Sequence, residues 1–99
     1  MDIEEAIQKI NSHDQAAIIA RYDGSVADVV EINTRDTENC LTELNNISES
    51  YKECAFHIYD RGHLGEISRE QLQAIVRDIV ECIEYGKQHG LKPGANIIR

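Results

Sequence analysis

Five residues near the middle of the chain are of the types that bind transition metals or take part in acid–base chemistry. They follow one another at intervals of three: Cys54, His57, Asp60, His63 and Glu66. On a helix, Cys54 and His57 share a face, and thiolate, imidazole and carboxylate groups are the usual ligands of zinc. The same spacing is common among polar residues at helix ends, and Cys54 also fits an apolar helical position. The sequence therefore predicts a coincidence of surface residues here and no metal site.

The surrounding stretch, AFHIYDRGHLGEISREQL, has the frame of a calcium-binding helix–loop–helix. An aromatic residue precedes Asp60, Gly65 follows in the loop, and the pair Ile67 and Ser68 comes just before a new helix. In these features residues 55–72 resemble an EF-hand, the motif of calmodulin-like proteins. The resemblance implies a helix on each side of the loop and a regulatory module that grips a target helix.

The loop lacks most of the ligands that this resemblance implies. An EF-hand holds calcium with oxygen atoms from loop positions 1, 3, 5, 7, 9 and 12, the last a bidentate glutamate. In that order the positions are Asp60, Gly62, Leu64, Glu66, Ser68 and Gln71. Position 7 contributes a backbone carbonyl, so Asp60 is the one carboxylate at a side-chain ligand position, and an amide replaces the bidentate anchor. We predict no physiological calcium binding.

No other arrangement in the sequence predicts catalysis or a cofactor. Gly62 and Gly65 are not followed by the Lys-Ser or Lys-Thr pair of a phosphate-binding loop. A cysteine on an apolar helical face keeps its thiol protonated, which makes it a poor nucleophile. We predict a protein that is not an enzyme. An alternative is a dimer that gathers four arginines around a small anionic ligand: Arg21, Arg61, Arg69 and Arg77.

Charge is the clearest functional feature of the sequence. The chain of 99 residues has 18 acidic and 10 basic residues, a formal net charge of −8. Nucleic acids and anionic membranes are unsuitable partners, since phosphate contacts need clustered Lys and Arg. Residues 23–53 hold eight acids against two bases, so a basic protein partner is steered toward this region. We predict that six of these acids bind the partner: Asp23, Asp28, Glu31, Asp36, Glu38 and Glu43.

The first third of the chain predicts a short helix followed by a β-hairpin. Residues 1–13 place Ile3, Ala6 and Ile10 on one helical face. Residues 15–33 contain two runs rich in β-branched residues, and the Asp-Gly pair between them is typical of a hairpin turn.

Residues 36–89 predict a long antiparallel helical hairpin. Apolar residues in the first predicted helix, residues 36–59, recur at steps of four and three: Cys40, Leu44, Ile47, Tyr51, Cys54 and Ile58. The second predicted helix begins at Ser68, which forms a capping box with Gln71. Its apolar face is wider than one partner helix covers, because Ile75, Val80 and Cys82 extend it.

These elements together predict a single α+β domain: a short N-terminal helix, a β-hairpin, the helical hairpin, and a tail at residues 90–99. The wide apolar face of the last helix and the Val- and Ile-rich edges of the hairpin favour a homodimer. Three cysteines without CxxC spacing favour buried free thiols, and the sequence has neither a signal-peptide pattern nor a membrane-span pattern. We therefore expect a cytoplasmic protein.

The functional hypothesis is an inhibitor or interaction protein that binds and blocks a basic surface of a protein partner. Small acidic domains of this kind act as toxin-immunity proteins or as phage inhibitors of host defence. The two alternatives stay open at this point, namely the EF-hand-like module and the dimeric binder of an anionic ligand.

Overall fold

A computed structural model of the protein describes residues 1–33, 35–51, 54–89 and 96–98. These residues form four helices and four strands in the following order: α1 (Ile3–Asn11), β1 (Gln15–Arg21), β2 (Val26–Glu31), α2 (Thr37–Ser50), β3 (Cys54–Asp60), the single turn α3 (Arg61–Leu64), α4 (Arg69–Gln88) and β4 (Asn96–Ile98). The α+β class is confirmed. None of the helices in the described ranges is long and apolar enough to span a membrane.

The strands form one sheet in the order β2-β1-β3-β4. Strand β1 is antiparallel to both β2 and β3, whereas β4 runs parallel to β3. Strands β2 and β3 therefore run in the same direction, because each is antiparallel to β1, which lies between them. Helix α2 connects β2 to β3, and α3 with α4 connect β3 toward β4, as is usual for crossover connections. The two connections leave the same end of the sheet.

One face of the sheet is covered by α1 and α4, and we call it the α4 face. The largest buried side chains there include Ile10 of α1, Ile18 of β1, and Leu72 and Ile79 of α4. Helix α4 packs on β1, β3 and α1. Two of the three residues that widen its apolar face, Ile75 and Cys82, pack against the same cluster within one chain.

The opposite face of the sheet is covered by α2, and we call it the α2 face. Ile19 and Phe56 are fully buried there, but Ile47 is the only fully buried residue of α2 itself. Ala17, Ile32 and Cys54 are also buried on this face. Six further apolar residues are only half-buried: Ala27, Val30, Cys40, Leu44, Tyr51 and Ile58. The α2 face is therefore the more thinly covered side of the sheet.

The predicted helical hairpin is wrong, because β3 replaces the second half of its first helix. Helix α2 ends at Ser50, and residues 54–60 pair with β1 along their whole length. The helical spacing of the apolar residues is real from Cys40 to Tyr51, and Cys54 and Ile58 continue it by chance. The residue before Asp60 therefore belongs to a strand, where the EF-hand resemblance implies a helix.

Several local predictions are confirmed. Ser68 Oγ accepts from the Gln71 amide at 3.2 Å, and the Gln71 side chain accepts from the Ser68 amide at 2.8 Å, so the capping box is present. The hairpin turns at Gly24, whose φ of 86° is in the left-handed region that favours glycine. Of the predicted tail, residues 96–98 form β4, and the rest lies outside the described residues.

Candidate functional site

A crevice of about 590 Å³ opens at the end of the sheet where β2 and β3 finish. The chain leaves β2 toward the α2 face and leaves β3 toward the α4 face, so the two connections diverge around it. Nine residues line the crevice: Asp14, Gln15, Glu31, Ile32, Asn33, Arg35, Asp60, Gly62 and His63.

Asp60 is the most firmly held side chain of the crevice. Its Oδ2 accepts from Gln15 Nε2 at 3.1 Å and lies 2.8 Å from Nδ1 of His63. These two hydrogen bonds, first from Gln15 and then from His63, lower the pKa of Asp60. Gly62 leaves room for this carboxylate, because a Cβ at that position would lie 3.2 Å from Asp60 Oδ1.

The two other carboxylates of the crevice are also paired. Arg61 Nη2 lies 2.9 Å from Asp14 Oδ1, and its Nε donates to the carbonyl oxygen of His13. His13 Nδ1 lies 3.0 Å from Glu31 Oε2. Asp14, Glu31 and Asp60 therefore each have a basic or imidazole partner, and a cationic ligand would have to displace existing contacts to bind these carboxylates.

The structure separates the five residues of the predicted metal-type spacing. Cys54 packs on the α2 face, whereas His57 lies on the α4 face, because side chains alternate along β3. Only Asp60 and His63 meet. Among the residues that the structure describes, no group of three His, Cys, Asp or Glu side chains is placed to hold a metal ion.

The four arginines of the anionic-ligand alternative lie on different elements. Arg61 is paired with Asp14, and Arg69 Nη1 lies 3.3 Å from Glu4 Oε1. Arg21 ends β1, and Arg77 is exposed on α4. Within one chain they do not form a common anion site.

Two of the six predicted partner-binding acids are engaged in local structure. Asp23 accepts from the backbone and side chain of Ser25 in the hairpin turn, and these hydrogen bonds lower its pKa. Asp36 is the N-cap of α2, where it accepts from the amide and the side chain of Asn39 at 3.3 and 2.7 Å. Both remain exposed, Asp23 in the turn between β1 and β2 and Asp36 at the start of α2.

Asp28, a third predicted acid, joins three elements. Its Oδ2 accepts from Tyr51 Oη at 2.7 Å, while Oδ1 accepts from the Val29 amide at 2.8 Å and lies 3.5 Å from Lys9 Nζ. Partial burial alone would raise the pKa of Asp28. The hydrogen bonds from Tyr51 and Val29, together with the charge of Lys9, outweigh it and lower that pKa. Asp28 therefore links β2 to α1 and to the end of α2.

Glu31, Glu38 and Glu43 complete the predicted set, and they face different surroundings. Glu31 is at the crevice with His13, whereas Glu38 and Glu43 are exposed on α2 without an ion pair among the described residues. Two other exposed residues of α2, Glu49 and Leu41, lie outside the predicted set. The helical spacing of 38, 41, 45 and 49 places them on the same side of the helix as Glu38.

A scan against protein-family models finds no match, and neither the curated proteins nor the solved structures yield one. The functional proposal consequently depends on the geometry and charge of this chain.

Proposed function

We propose that this protein is a non-enzymatic inhibitor that binds and blocks a basic surface of a protein partner, in the manner of toxin-immunity or phage anti-defence proteins. The observation that carries the proposal is the charge of α2. Its 14 residues include three glutamates, Glu38, Glu43 and Glu49, and no Lys, Arg or His. No ion pair joins these glutamates to any residue that the structure describes.

Five other acidic residues of the protein are paired. Asp14, Asp28, Glu31, Asp60 and Glu4 each have a basic or imidazole partner. Helix α4 carries three basic residues beside its four acids, so its exposed side has mixed charge. A surface on which both signs of charge alternate is typical of a soluble protein. A helix whose charged residues are all negative creates a directed negative potential.

A negative potential of this kind acts mainly on the rate of encounter. Charges that are exposed and unpaired steer an oppositely charged partner and raise the association rate by 10-fold to 1,000-fold, an effect that salt screens. They add less to the final affinity, because exposed ion pairs are individually weak. The proposal therefore predicts fast, salt-sensitive association.

The test replaces the three α2 glutamates by lysine, as Glu38→Lys, Glu43→Lys and Glu49→Lys in one variant. The matched control replaces three exposed glutamates of α4: Glu70→Lys, Glu81→Lys and Glu84→Lys. Both variants change the net charge equally. Association is measured by stopped flow with the partner captured by pull-down from the native host.

We expect the α2 variant to associate about 10-fold or more slowly at low salt and to lose most of its salt dependence. The α4 variant should keep most of the original rate. An association rate of the unchanged protein that stays the same from low to high salt would contradict the proposal.

A further inference from the structure

The outward side of α2 carries a row of exposed residues in which one leucine lies between two glutamates. Glu38, Leu41, Asn45 and Glu49 are spaced at i, i+3, i+7 and i+11, so they follow one another along one side of the helix. We call these four residues the α2 stripe. All four are exposed. The eleven-residue separation of Glu38 and Glu49 corresponds to about 16 Å along the helix axis.

Leu41 gives the α2 stripe an apolar centre. Its side chain is 57% exposed, which makes it one of the exposed large apolar residues of the protein. Leu44, one turn further along, and Cys40, its neighbour, are half-buried members of the α2 face. Leu41 therefore extends the thinly covered apolar layer of the sheet to the protein surface. It lies between two carboxylates that make no ion pair with any residue of the described ranges.

We propose that the α2 stripe is the docking site for a basic amphipathic helix of the protein partner. The helix would present two cationic side chains about 16 Å apart, three helical turns, to meet Glu38 and Glu49. Between them an apolar side chain would cover Leu41. This inference deepens the proposed function, on which it rests, by naming the surface and the kind of segment that binds it.

Charge complementarity selects this occupant over others. A second copy of the chain would bring Glu38, Glu43 and Glu49 against the same three glutamates, and like charges in close contact oppose association. Nucleic acid and anionic lipid are repelled for the same reason. The crevice is a weaker candidate for a basic segment, because its three carboxylates already have partners.

The two kinds of residue in the α2 stripe have separable effects. Exposed glutamates at the rim of an interface act on the association rate and its salt dependence. An apolar residue at the centre, once covered, mainly slows dissociation. A partner that needed charge alone would depend on the glutamates and be indifferent to Leu41.

The test uses two synthetic alanine-based peptides as probes. The first carries Lys, Leu, Leu and Lys at i, i+4, i+7 and i+11, so that all four side chains share one helical face. The second has the same composition and the same lysine positions, with both leucines moved to the opposite face. Each peptide is titrated into the isotope-labelled protein, and two-dimensional NMR measures the affinity and locates the perturbed amides.

We expect the first peptide to perturb amides of residues 38–49 and to bind several-fold more tightly than the second. Leu41→Ser should reduce the affinity for the first peptide by about fivefold or more, since covering a leucine contributes this much to an interface. The control is Leu64→Ser, which removes a leucine of similar exposure, 64%, from α3 and should leave binding unchanged.

Three results would overturn the inference: perturbed amides outside α2, no perturbed amides, or equal binding of the two peptides. Equal binding that the triple α2 glutamate variant abolishes would leave the proposed function intact, because charge would still direct the encounter. Loss of salt-sensitive association with the captured partner would instead remove the proposed function itself. Circular dichroism of each variant confirms that the substitution at an exposed site preserves the fold.

Discussion

At the scale of single residues, His57 stands out because a polar atom of its side chain is buried without a hydrogen-bond partner among the described residues. Its Nδ1 is buried and accepts or donates no hydrogen bond within the described part of the chain. Burial lowers the pKa of His57, and the charge of Asp78 opposes this effect only in part. The histidine is therefore held neutral on the α4 face, and protonating it would place a charge between β3 and α4.

The pH dependence of stability follows from this shift. The unfolded chain binds the proton with a pKa near 6.5, while the folded protein binds it with a lower pKa. The unfolded state thus holds more protons between the two values, so the free energy of unfolding falls as pH drops below about 6.5. We expect His57→Leu to flatten this part of the pH profile in urea unfolding experiments. His89→Gln, at the exposed C-cap of α4, is the control and should preserve the slope, whereas a persistent slope in His57→Leu would contradict the assignment.

At the scale of elements, β3 shows where sequence reasoning reaches its limit. A strand with one buried face alternates apolar and polar residues, but Cys54, Ala55 and Phe56 are all buried, because helices cover both faces of this sheet. Without alternation, the steps from Tyr51 to Cys54 and Ile58 look helical. The hairpin, α1 and the start of α4 were predictable, because their turn and capping residues specify them locally.

The crevice could not be predicted from the sequence for a related reason. It joins residues near positions 14, 31 and 60, which meet only because β1 lies between β2 and β3. That strand order depends on placing β3 correctly. The charge of α2, in contrast, is a property of one continuous segment, and the sequence prediction of an acidic region therefore includes it.

Strand β2 is an edge of the sheet, and Asp28 hinders pairing of this edge with another chain. Its carboxylate accepts from the Val29 amide, which removes a free donor from the edge, and it also joins β2 to Tyr51 and Lys9. Charged residues on edge strands hinder pairing with other chains. We expect Asp28→Ala to lower the free energy of unfolding by about 1 to 3 kcal/mol, because the substitution leaves these donors without their acceptor.

Urea unfolding measures that loss, and light scattering shows whether the exposed edge then pairs with a second chain. Asp23→Ala is the matched control, since Asp23 bonds only within its own turn. An Asp28→Ala protein as stable as the original would show that the carboxylate contributes nothing to the join between β2, α1 and α2.

At the scale of the whole molecule, the two faces of the sheet differ in burial and in the charge of the helix that covers them. The α4 face holds most of the buried core, under a helix of mixed charge, while the α2 face is thinly covered and carries charge of one sign. The larger part of the buried core therefore lies on the α4 face.

The same division bears on the homodimer expected from the sequence, which the fold of one chain does not test. Both features that favoured it have intramolecular counterparts: Ile75 and Cys82 of α4 pack on the core of one chain, and Asp28 accepts from a backbone amide of the β2 edge. The exposed glutamates of α2 also repel a second copy. We therefore expect light scattering to give the mass of a single chain at all concentrations and at both low and high salt. A mass twice as large that survives high salt would restore the homodimer, and its loss in a variant of the α4 or β2 surface would identify which surface forms it.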